Sequence, residues 1–354
     1  MTSLGEYAGQ AGEALKFEAL ESKYLQARAA LAKQQGSNTR LQARVTELEQ
    51  SLARFAQVRP ADQMVPAWLK PKKETGDHHG TPVLMLSDLH LDEVVDPLEM
   101  DGQNEYNREI AEQRLQRVVD GTILLMKDYV AGIKVDGIVV ALAGDILTGD
   151  IHPELVKTNE APVQASVVHW VPKLASALVH LADEFGSVFV PTCDGNHDRD
   201  AINRRTPTKR RAESSYAWII YNWLADTLRD DKRITFSIST SPEQRFDVYN
   251  TKFLLTHGDA FRSQGGVGGL YPSLLKYLLR KHQAYSSFNN DFDHALMGHW
   301  HTLLFGPDFV VNGSLKGWDE YARHMGFAPE KPRQALFIVT PERGIVQQMP
   351  VYAE

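Results

Sequence analysis

The chain has 354 residues, of which 43% are hydrophobic and 23% charged, and its formal net charge is −7 at pH 7. This composition is typical of a globular protein, excludes a membrane-spanning segment because no apolar run approaches ~20 residues, and argues against indiscriminate binding to nucleic acid. The first twelve residues have no basic start followed by an apolar stretch, and Cys193 is the only cysteine. Both features favour a cytoplasmic protein without disulfides.

The first predicted element is a long helix with a heptad seam. Ten of twelve residues spaced alternately three and four apart from Phe17 to Phe55 are apolar, with Gln34 and Asn38 as the polar exceptions. Such a stripe needs a partner helix, so we predict a coiled coil over residues 1–57 and a homodimer formed through residues 17–55. Two alternatives remain: an antiparallel hairpin that turns at Gly36-Ser37, and a helix packed on the catalytic domain.

Residues 58–82 are predicted to be a linker, because Pro60, Pro66, Pro71 and Pro82 exclude a regular helix. From residue 83 to residue 354, short apolar strands alternate with helical stretches and then become more frequent, which predicts an α/β sandwich. The predicted strands are 83–86, 138–142, 188–191, 253–255, 295–297, 309–311 and 336–339, and the predicted helices are 107–130 and 163–185.

Potential metal ligands follow five of these strands. In chain order the blocks are Asp88-Leu89-His90, Gly144-Asp145, Gly195-Asn196-His197-Asp198, His257-Gly258-Asp259 and Gly298-His299-Trp300-His301. Side chains two apart in an extended segment point to the same side, so Asp88 and His90 can bind one metal together. Carboxylate, imidazole and amide ligands suit first-row divalent metals such as Mn²⁺, Fe or Zn²⁺, with Ni²⁺ as a further alternative.

The order of these blocks resembles the calcineurin-like metallophosphoesterases, whose motifs D-x-H, GD, GNH[DE], H and GHxH are all present between Asp88 and His301. The resemblance implies a four-layer α-β-β-α sandwich that carries two divalent metal ions, of which Mn²⁺ is our first choice. It also implies the ligands of each metal. One metal would bind Asp88, His90 and His301, the other would bind Asn196, His257 and His299, and Asp145 would bridge the two.

The same resemblance implies a metal-dependent phosphoric ester hydrolase in which a hydroxide that bridges the metals attacks phosphorus. His197 would face the substrate and protonate the leaving oxygen, and Asp198 would orient His197. The alternative for Asp198 is an ordinary helix N-cap.

The substrate is indicated less directly. The residues around Asp88 and Asp145 depart from the protein-phosphatase motifs, and Ser87-Asp88-Leu89-His90-Leu91 looks more like the DNA-repair exonuclease and phage phosphoesterase types. Five arginines and one lysine between Arg199 and Arg211 could hold the phosphates of a nucleic acid, or face water as a solvated loop. We assign Arg199, Arg204 and Arg205 as candidate phosphate contacts, and Trp300 either stacks on a base or packs in the core.

The sequence thus predicts a nuclease-like phosphodiesterase whose partner is nucleic acid. A phosphodiesterase acting on small or cyclic nucleotides is the alternative, and a protein phosphatase or a non-catalytic coiled-coil scaffold fits the motifs less well.

Overall fold

The computed structural model describes residues 65–70, 78–200, 208–262 and 269–354, together with residues 28, 33–36, 38–43 and 45–46. The chain divides into two compact units, Met1–Val58 and Arg59–Glu354. None of the helices in the described ranges is long and apolar enough to cross a membrane.

The second unit contains two β-sheets. Its strands are β1 (Thr81–Leu86), β2 (Ile138–Ala143), β3 (Val188–Cys193), β4 (Ile234–Ile238), β5 (Glu243–Val248), β6 (Thr251–Thr256), β7 (His294–Met297), β8 (Leu304–Phe305), β9 (Phe309–Val311), β10 (Arg333–Thr340) and β11 (Gly344–Tyr352). The first sheet has six strands in the order β11-β10-β1-β2-β3-β4, and the second has five in the order β5-β6-β7-β9-β8. Strands β1 to β4 run parallel, as do β6, β7 and β9.

The helices cover the outer faces of both sheets. They are α1 (Arg108–Leu124), α2 (Leu155–Thr158), α3 (Val163–Phe185), α4 (Tyr216–Thr227), α5 (Tyr271–Ser286) and α6 (Glu320–His324), and α1 continues as a π-helical segment, Leu125–Tyr129. Helices α1, α3 and α4 contact the first sheet. Leu274, Tyr277 and Leu278 of α5 share a buried cluster with Leu254 and Ala295 of the second sheet.

The main core lies between the two sheets. Val83 and Met85 of β1 belong to this core, as do Phe253 and Leu255 of β6, whereas Leu254, between the last two, faces α5. This alternation follows from the two-residue period of a strand. Because strands β1, β2 and β3 are buried along their whole length, they are almost entirely apolar, with Thr81 and Thr192 as the polar exceptions. The layers confirm the predicted α-β-β-α sandwich.

The predicted elements from residue 83 onward are all present, with ends that differ by a few residues. The helix predicted over residues 107–130 is α1 with its π-helical continuation, and Asn107 caps it by accepting a hydrogen bond from the backbone N–H of Ile110 at 2.9 Å. No pattern in the sequence predicted β4, β5, β8, β11, α2, α4, α5 or α6.

The predicted linker reaches the core before the first strand begins. Leu69, in the 3₁₀ turn Ala67–Leu69, is 1% exposed and belongs to the core between the sheets. Its carbonyl accepts a hydrogen bond from the backbone N–H of Tyr249 at 2.7 Å. Leu69 therefore attaches this segment to the sandwich.

In the first unit, the described residues between positions 28 and 46 are α-helical, Gly36 among them. The seam residues Leu41 and Val45 are 61% and 51% exposed. The rest of the predicted coiled coil, including Phe17 and Phe55, lies outside the described residues, so the dimer stays a prediction.

Candidate metal centre

The predicted ligands lie in loops that leave the carboxyl ends of parallel strands from both sheets. Asp88 and His90 follow β1, Asp145 follows β2 and Asn196 follows β3. The second sheet contributes His257 after β6, and His299 and His301 after β7. Strand ends are rigid supports for such loops, which explains how residues far apart in the sequence come together here.

Most of these ligands have an unusual backbone conformation. The φ angles are positive, with values of 52° at Asp88, 45° at His90, 49° at Asp145, 70° at His299 and 49° at His301. Left-handed conformations are uncommon for residues other than glycine, and they persist only where the surrounding structure enforces them. Asp88 and His90 are thus not in an extended segment, contrary to the expectation from the sequence, and the loops with these conformations are candidates for a functional site.

The side chains form two clusters in which the potential ligand atoms lie within 4.8 Å of one another. The first cluster contains Asp88, His90 and His301. Nε2 of His90 lies 3.0 Å from Nε2 of His301, which is 3.4 Å from Oδ1 of Asp88. The cluster has the membership predicted for the first metal.

The second cluster contains Asp145, His257 and His299. Nε2 of His257 lies 2.9 Å from Oδ2 of Asp145 and 3.1 Å from Oδ1 of Asn196. The same Oδ2 of Asp145 is 4.0 Å from Nε2 of His90, which belongs to the first cluster. Asp145 is thus placed between the two clusters, where a bridging carboxylate must lie.

Two glycines allow the carboxylates to reach these positions. A Cβ atom on Gly195 would lie 2.0 Å from Oδ1 of Asp145, and one on Gly298 would lie 2.1 Å from Oδ2 of Asp88. Both distances are far below van der Waals contact. The glycines of the GNH and GHxH motifs are therefore needed because the ligand carboxylates occupy the space of a side chain.

The donor set fits two divalent cations. Nδ1 of His257 donates to the carbonyl of Ala143 at 2.8 Å, which fixes a proton on Nδ1 and makes Nε2 the nitrogen that would bind a metal. Burial opposes the charged form of His257, but the Asp145 carboxylate raises its pKa to about 10, so a metal bound there would displace a proton from Nε2. Burial lowers the pKa of His90 well below its usual value, and the charge of Lys316 adds to this effect. A neutral imidazole is the form that binds metal. The donors are thus imidazole nitrogens together with carboxylate and amide oxygens, which indicates two divalent metals.

A buried polar network supports Asp88. Its carboxylate accepts a hydrogen bond from Oγ of Ser87 at 2.5 Å and one from the backbone N–H of His299 at 2.8 Å. Nδ2 of Asn312 donates to Ser87 Oγ at 2.9 Å and to Oε1 of Gln334 at 2.8 Å. These contacts join the two sheets directly beneath the first cluster.

His197 lies beside the metal clusters without belonging to either. Its backbone N–H donates to Oδ1 of Asp145 at 2.7 Å, and its ring centroid is 4.7 Å from that of His90. Nδ1 lies 2.9 Å from the carbonyl oxygen of Thr148. Because a carbonyl only accepts, Nδ1 carries a proton and Nε2 is the nitrogen left for a substrate. This position suits the predicted proton donor.

The structure gives Asp198 a different role from the one predicted. Its buried carboxylate accepts hydrogen bonds from the backbone N–H groups of Asp145, Ile146, Leu147 and Gly195, at 2.8, 3.1, 3.4 and 2.9 Å. Asp198 therefore fastens the loop after β2 to the loop after β3. It does not orient His197, whose ring is held by Thr148, and no helix begins at Asp198 for it to cap.

The predicted substrate contacts are placed unevenly. Nη1 of Arg199 donates to the carbonyl of Asn196 at 2.6 Å, so Arg199 borders the second cluster. Arg204 and Arg205 lie outside the described residues. Arg211 of the same basic stretch pairs with Asp194 at 2.5 Å and Asp259 at 2.9 Å, so its charge is already neutralised.

Trp300 packs against neighbouring apolar side chains. Its ring lies 5.2 Å from that of Phe261, and it contacts the cluster under α5. This contact favours the packing alternative over base stacking for the greater part of the ring.

A second group of side chains, not predicted from the sequence, lies near the first cluster. Nζ of Lys316 is 2.7 Å from Oε1 of Glu93 and 2.5 Å from Oδ2 of Asp319. His152, which is exposed, places its ring centroid 6.0 Å from that of His197. No motif marks these residues. The sequence could have indicated them only through a charged residue two or three positions from a ligand. Among these residues, Glu93 alone meets this condition, three positions after His90.

The chain matches no protein-family model and no curated protein. Among solved structures, it is similar to a predicted phosphoesterase from Streptococcus pneumoniae, with 12% identity, a TM-score of 0.29 and coverage of 77% of this chain and 98% of the other. A dimetal phosphatase from Danio rerio has 11% identity, a TM-score of 0.34 and coverage of 77% and 99%. Vps29 from Chaetomium thermophilum has 10% identity, a TM-score of 0.26 and coverage of 77% and 97%.

Likenesses at these scores carry no weight for function. The chain's own residues form the sandwich and the two ligand clusters that the resemblance to the calcineurin-like metallophosphoesterases implies.

Proposed function

We propose that this protein is a two-metal-dependent phosphoesterase, and that its substrate is a phosphodiester of nucleic acid. The observation that carries the chemistry is the position of Asp145, whose Oδ2 lies 2.9 Å from His257 and 4.0 Å from His90. One carboxylate oxygen within reach of both clusters would let Asp145 bind a divalent cation at each of them, and such a pair would supply the chemistry of two-metal phosphoester hydrolysis.

Two divalent cations bound at these clusters would supply Lewis acidity to the phosphoryl group and lower the pKa of a bound water. The chain's own contribution is to place the ligands and a proton donor around the same point. His197 is anchored through its backbone to Asp145 and through Nδ1 to Thr148, which leaves Nε2 for the substrate. Nε2 can protonate a leaving oxygen only when the ring carries a second proton as an imidazolium. Burial lowers the pKa of His197 and opposes this form, whereas the negative charge of Asp145 favours it.

The nucleic-acid part of the proposal is supported by charge near the second cluster. Arg199 borders Asn196, and the exposed Lys209 and Arg210 directly precede Arg211, which pairs with Asp194 and Asp259. Cations in a chain segment that begins and ends next to the ligand loops favour a substrate with phosphates on both sides of the scissile bond.

A phosphodiesterase acting on small or cyclic nucleotides is the second candidate. The observation that favours it is the pairing of Arg211 with Asp194 and Asp259, which removes one cation from the basic stretch. A small nucleotide needs fewer contacts to flanking phosphates than a polymer does.

The experiment is a substrate panel on the Mn²⁺-loaded protein. We expect turnover of bis(4-nitrophenyl) phosphate and of single- or double-stranded oligonucleotides, with a Lys209→Ala, Arg210→Ala double variant that loses activity on oligonucleotides but not on the small ester. Cleavage of cyclic nucleotides alone would favour the second candidate. Failure to hydrolyse any phosphoester with two bound metals would contradict the proposed function.

A further inference from the structure

A buried ionic network lies behind the first ligand cluster and is not part of the metal-ligand motifs. Glu93, Lys316 and Asp319 are 7%, 4% and 4% exposed, so all three charges are held inside the protein. Burial opposes the charged form of Lys316, but the carboxylates of Glu93 and Asp319 outweigh this effect and raise the pKa of its ammonium group. Buried charges of this kind need close partners, and each of the three has one.

Glu93 is the member that faces the metal centre. One oxygen, Oε1, accepts from Lys316 at 2.7 Å, and the other, Oε2, accepts from the hydroxyl of Thr148 at 2.7 Å. Oε2 also lies 3.4 Å from Nδ1 of His90. The Glu93 carboxylate therefore binds a buried cation and a hydroxyl, and it also lies next to the imidazole of a predicted ligand.

Nδ1 of His90 has no other polar partner among the described residues. It is buried and makes no hydrogen bond in the described part of the chain, whereas Nε2 lies within the first cluster, 3.0 Å from His301. When Nε2 binds a metal, the proton of the neutral ring must be on Nδ1, which faces Glu93. A metal-binding histidine usually donates this second N–H to a carboxylate, a carbonyl or water, and that bond fixes the ring's orientation.

Thr148 connects the same carboxylate to the proton donor. Its hydroxyl donates to Glu93, and its carbonyl accepts from Nδ1 of His197. Thr148 is fully buried, so both bonds act on one rigid residue.

We propose that Glu93 is a positioning residue that holds the His90 ligand through Nδ1 and the His197 ring through Thr148, with Lys316 and Asp319 fixing its carboxylate. This inference rests on the proposed two-metal function. It adds that the acid supporting the first metal also sets the position of the proton donor, so the two parts of the site are aligned by one side chain.

The test is a titration of the metal-free full-length protein with Mn²⁺. Binding is measured by calorimetry and by the electron paramagnetic resonance signal of the unbound ion. Glu93→Gln should weaken one of two Mn²⁺ sites by about 10–100-fold and leave the other unchanged, because loss of a carboxylate partner of a ligand has that effect. Glu99→Gln, in which an exposed acid of the same loop is changed, is the matched control and should bind like the wild type.

A double-mutant cycle separates positioning from a general structural effect. In a His90→Asn background, Glu93→Gln should cause no further loss of Mn²⁺ affinity, because the residue through which it acts is gone. An equal loss in both backgrounds, or two native-like Mn²⁺ sites in Glu93→Gln, would overturn the inference. Should Glu93→Gln fail to fold, Glu93→Asp keeps the negative charge beside Lys316, withdraws the carboxylate from Nδ1 of His90 by one methylene and should show the same weakened site.

The proposed link from Glu93 to His197 is tested with Thr148→Val, which replaces the hydroxyl by a methyl group and keeps the backbone carbonyl. We expect both Mn²⁺ sites to be retained and the rate to fall more for poor leaving groups than for good ones. Equal rates for variant and wild type on both kinds of ester would contradict this link. A wild-type protein without two Mn²⁺ sites would contradict the proposed function itself. Two sites whose Mn²⁺ affinities are unchanged by Glu93→Gln would contradict only the role of Glu93.

Discussion

The carboxylate of Asp145 accepts a hydrogen bond from the backbone N–H of His197 at 2.7 Å through Oδ1, while its Oδ2 faces both ligand clusters. One side chain thus connects the metal centre with the predicted proton donor. The consequence is that residues at this site act as a unit, and that metal binding and proton transfer have to be separated by the choice of variant.

Replacement of His197 tests the proton-donor role. His197→Asn should retain both metals, because His197 belongs to neither cluster, and should lose about 10²–10⁴-fold in rate on esters with poor leaving groups. The loss should shrink for 4-nitrophenyl esters, whose leaving group needs no proton. Metal analysis and kcat for a series of leaving groups check this, with the exposed His324→Asn as control. Equal losses across the series would exclude general-acid catalysis by His197.

Replacement of Asp198 tests its structural role. Asp198→Asn places an amide N–H among backbone N–H groups that now donate to a carboxylate. Leaving buried donors unsatisfied costs about 1–3 kcal/mol each, so we expect the free energy of unfolding to fall by about 3 kcal/mol. Urea denaturation measures the change, and Asp230→Asn at an exposed position is the control. A variant with wild-type stability and lower activity would instead support the catalytic role first predicted.

The contrast between these residues shows what the sequence could predict. The ligands were found because they follow strands that contain apolar runs, such as β1 and β2, and because their motifs occur in the order of a known family. Strand β5 begins with three polar residues, and β11 exposes Gln347 and Gln348, so neither gives an apolar run.

The role of Asp198 could not be read from the sequence for a different reason. It depends on which backbone N–H groups the fold brings within reach, and three of its four donors lie in the loop after β2. Lys316 is likewise paired with Glu93, which lies far away in the chain. Contacts of this kind are set by the tertiary structure and leave no local pattern.

Truncation at two positions tests the boundary of the catalytic unit. A chain that starts at Arg59 should fold and keep its activity on small esters, because it retains the whole second unit. A chain that starts at Thr81 lacks Leu69, which is buried between the sheets, and should be less stable by about 2–5 kcal/mol. Urea denaturation of the two chains provides the comparison. Equal stability would mean that Leu69 contributes nothing to the core.

The heptad seam predicts the oligomeric state. We expect the full-length chain to be a dimer in light scattering, and Leu41→Glu with Leu48→Glu to make it monomeric, because charge would be buried in the seam. Leu41 is 61% exposed in the single chain, as expected of a residue that is buried only in a dimer. Leu48 lies outside the described residues. A monomeric wild type would favour a hairpin within one chain.

The most direct test of the two-metal centre is the Mn²⁺ content of the wild type and of Asp145→Asn, each loaded with excess Mn²⁺, freed of unbound ion and measured by mass spectrometry. Asp128→Asn, at an exposed position, serves as the control. We predict two Mn²⁺ per wild-type chain with spin-coupled electron paramagnetic resonance, and loss of more than ~100-fold in affinity for at least one ion in Asp145→Asn, because this loss should exceed that caused by removing a ligand's partner. Two uncoupled ions in the wild type, or two retained ions in Asp145→Asn, would contradict a centre bridged by Asp145.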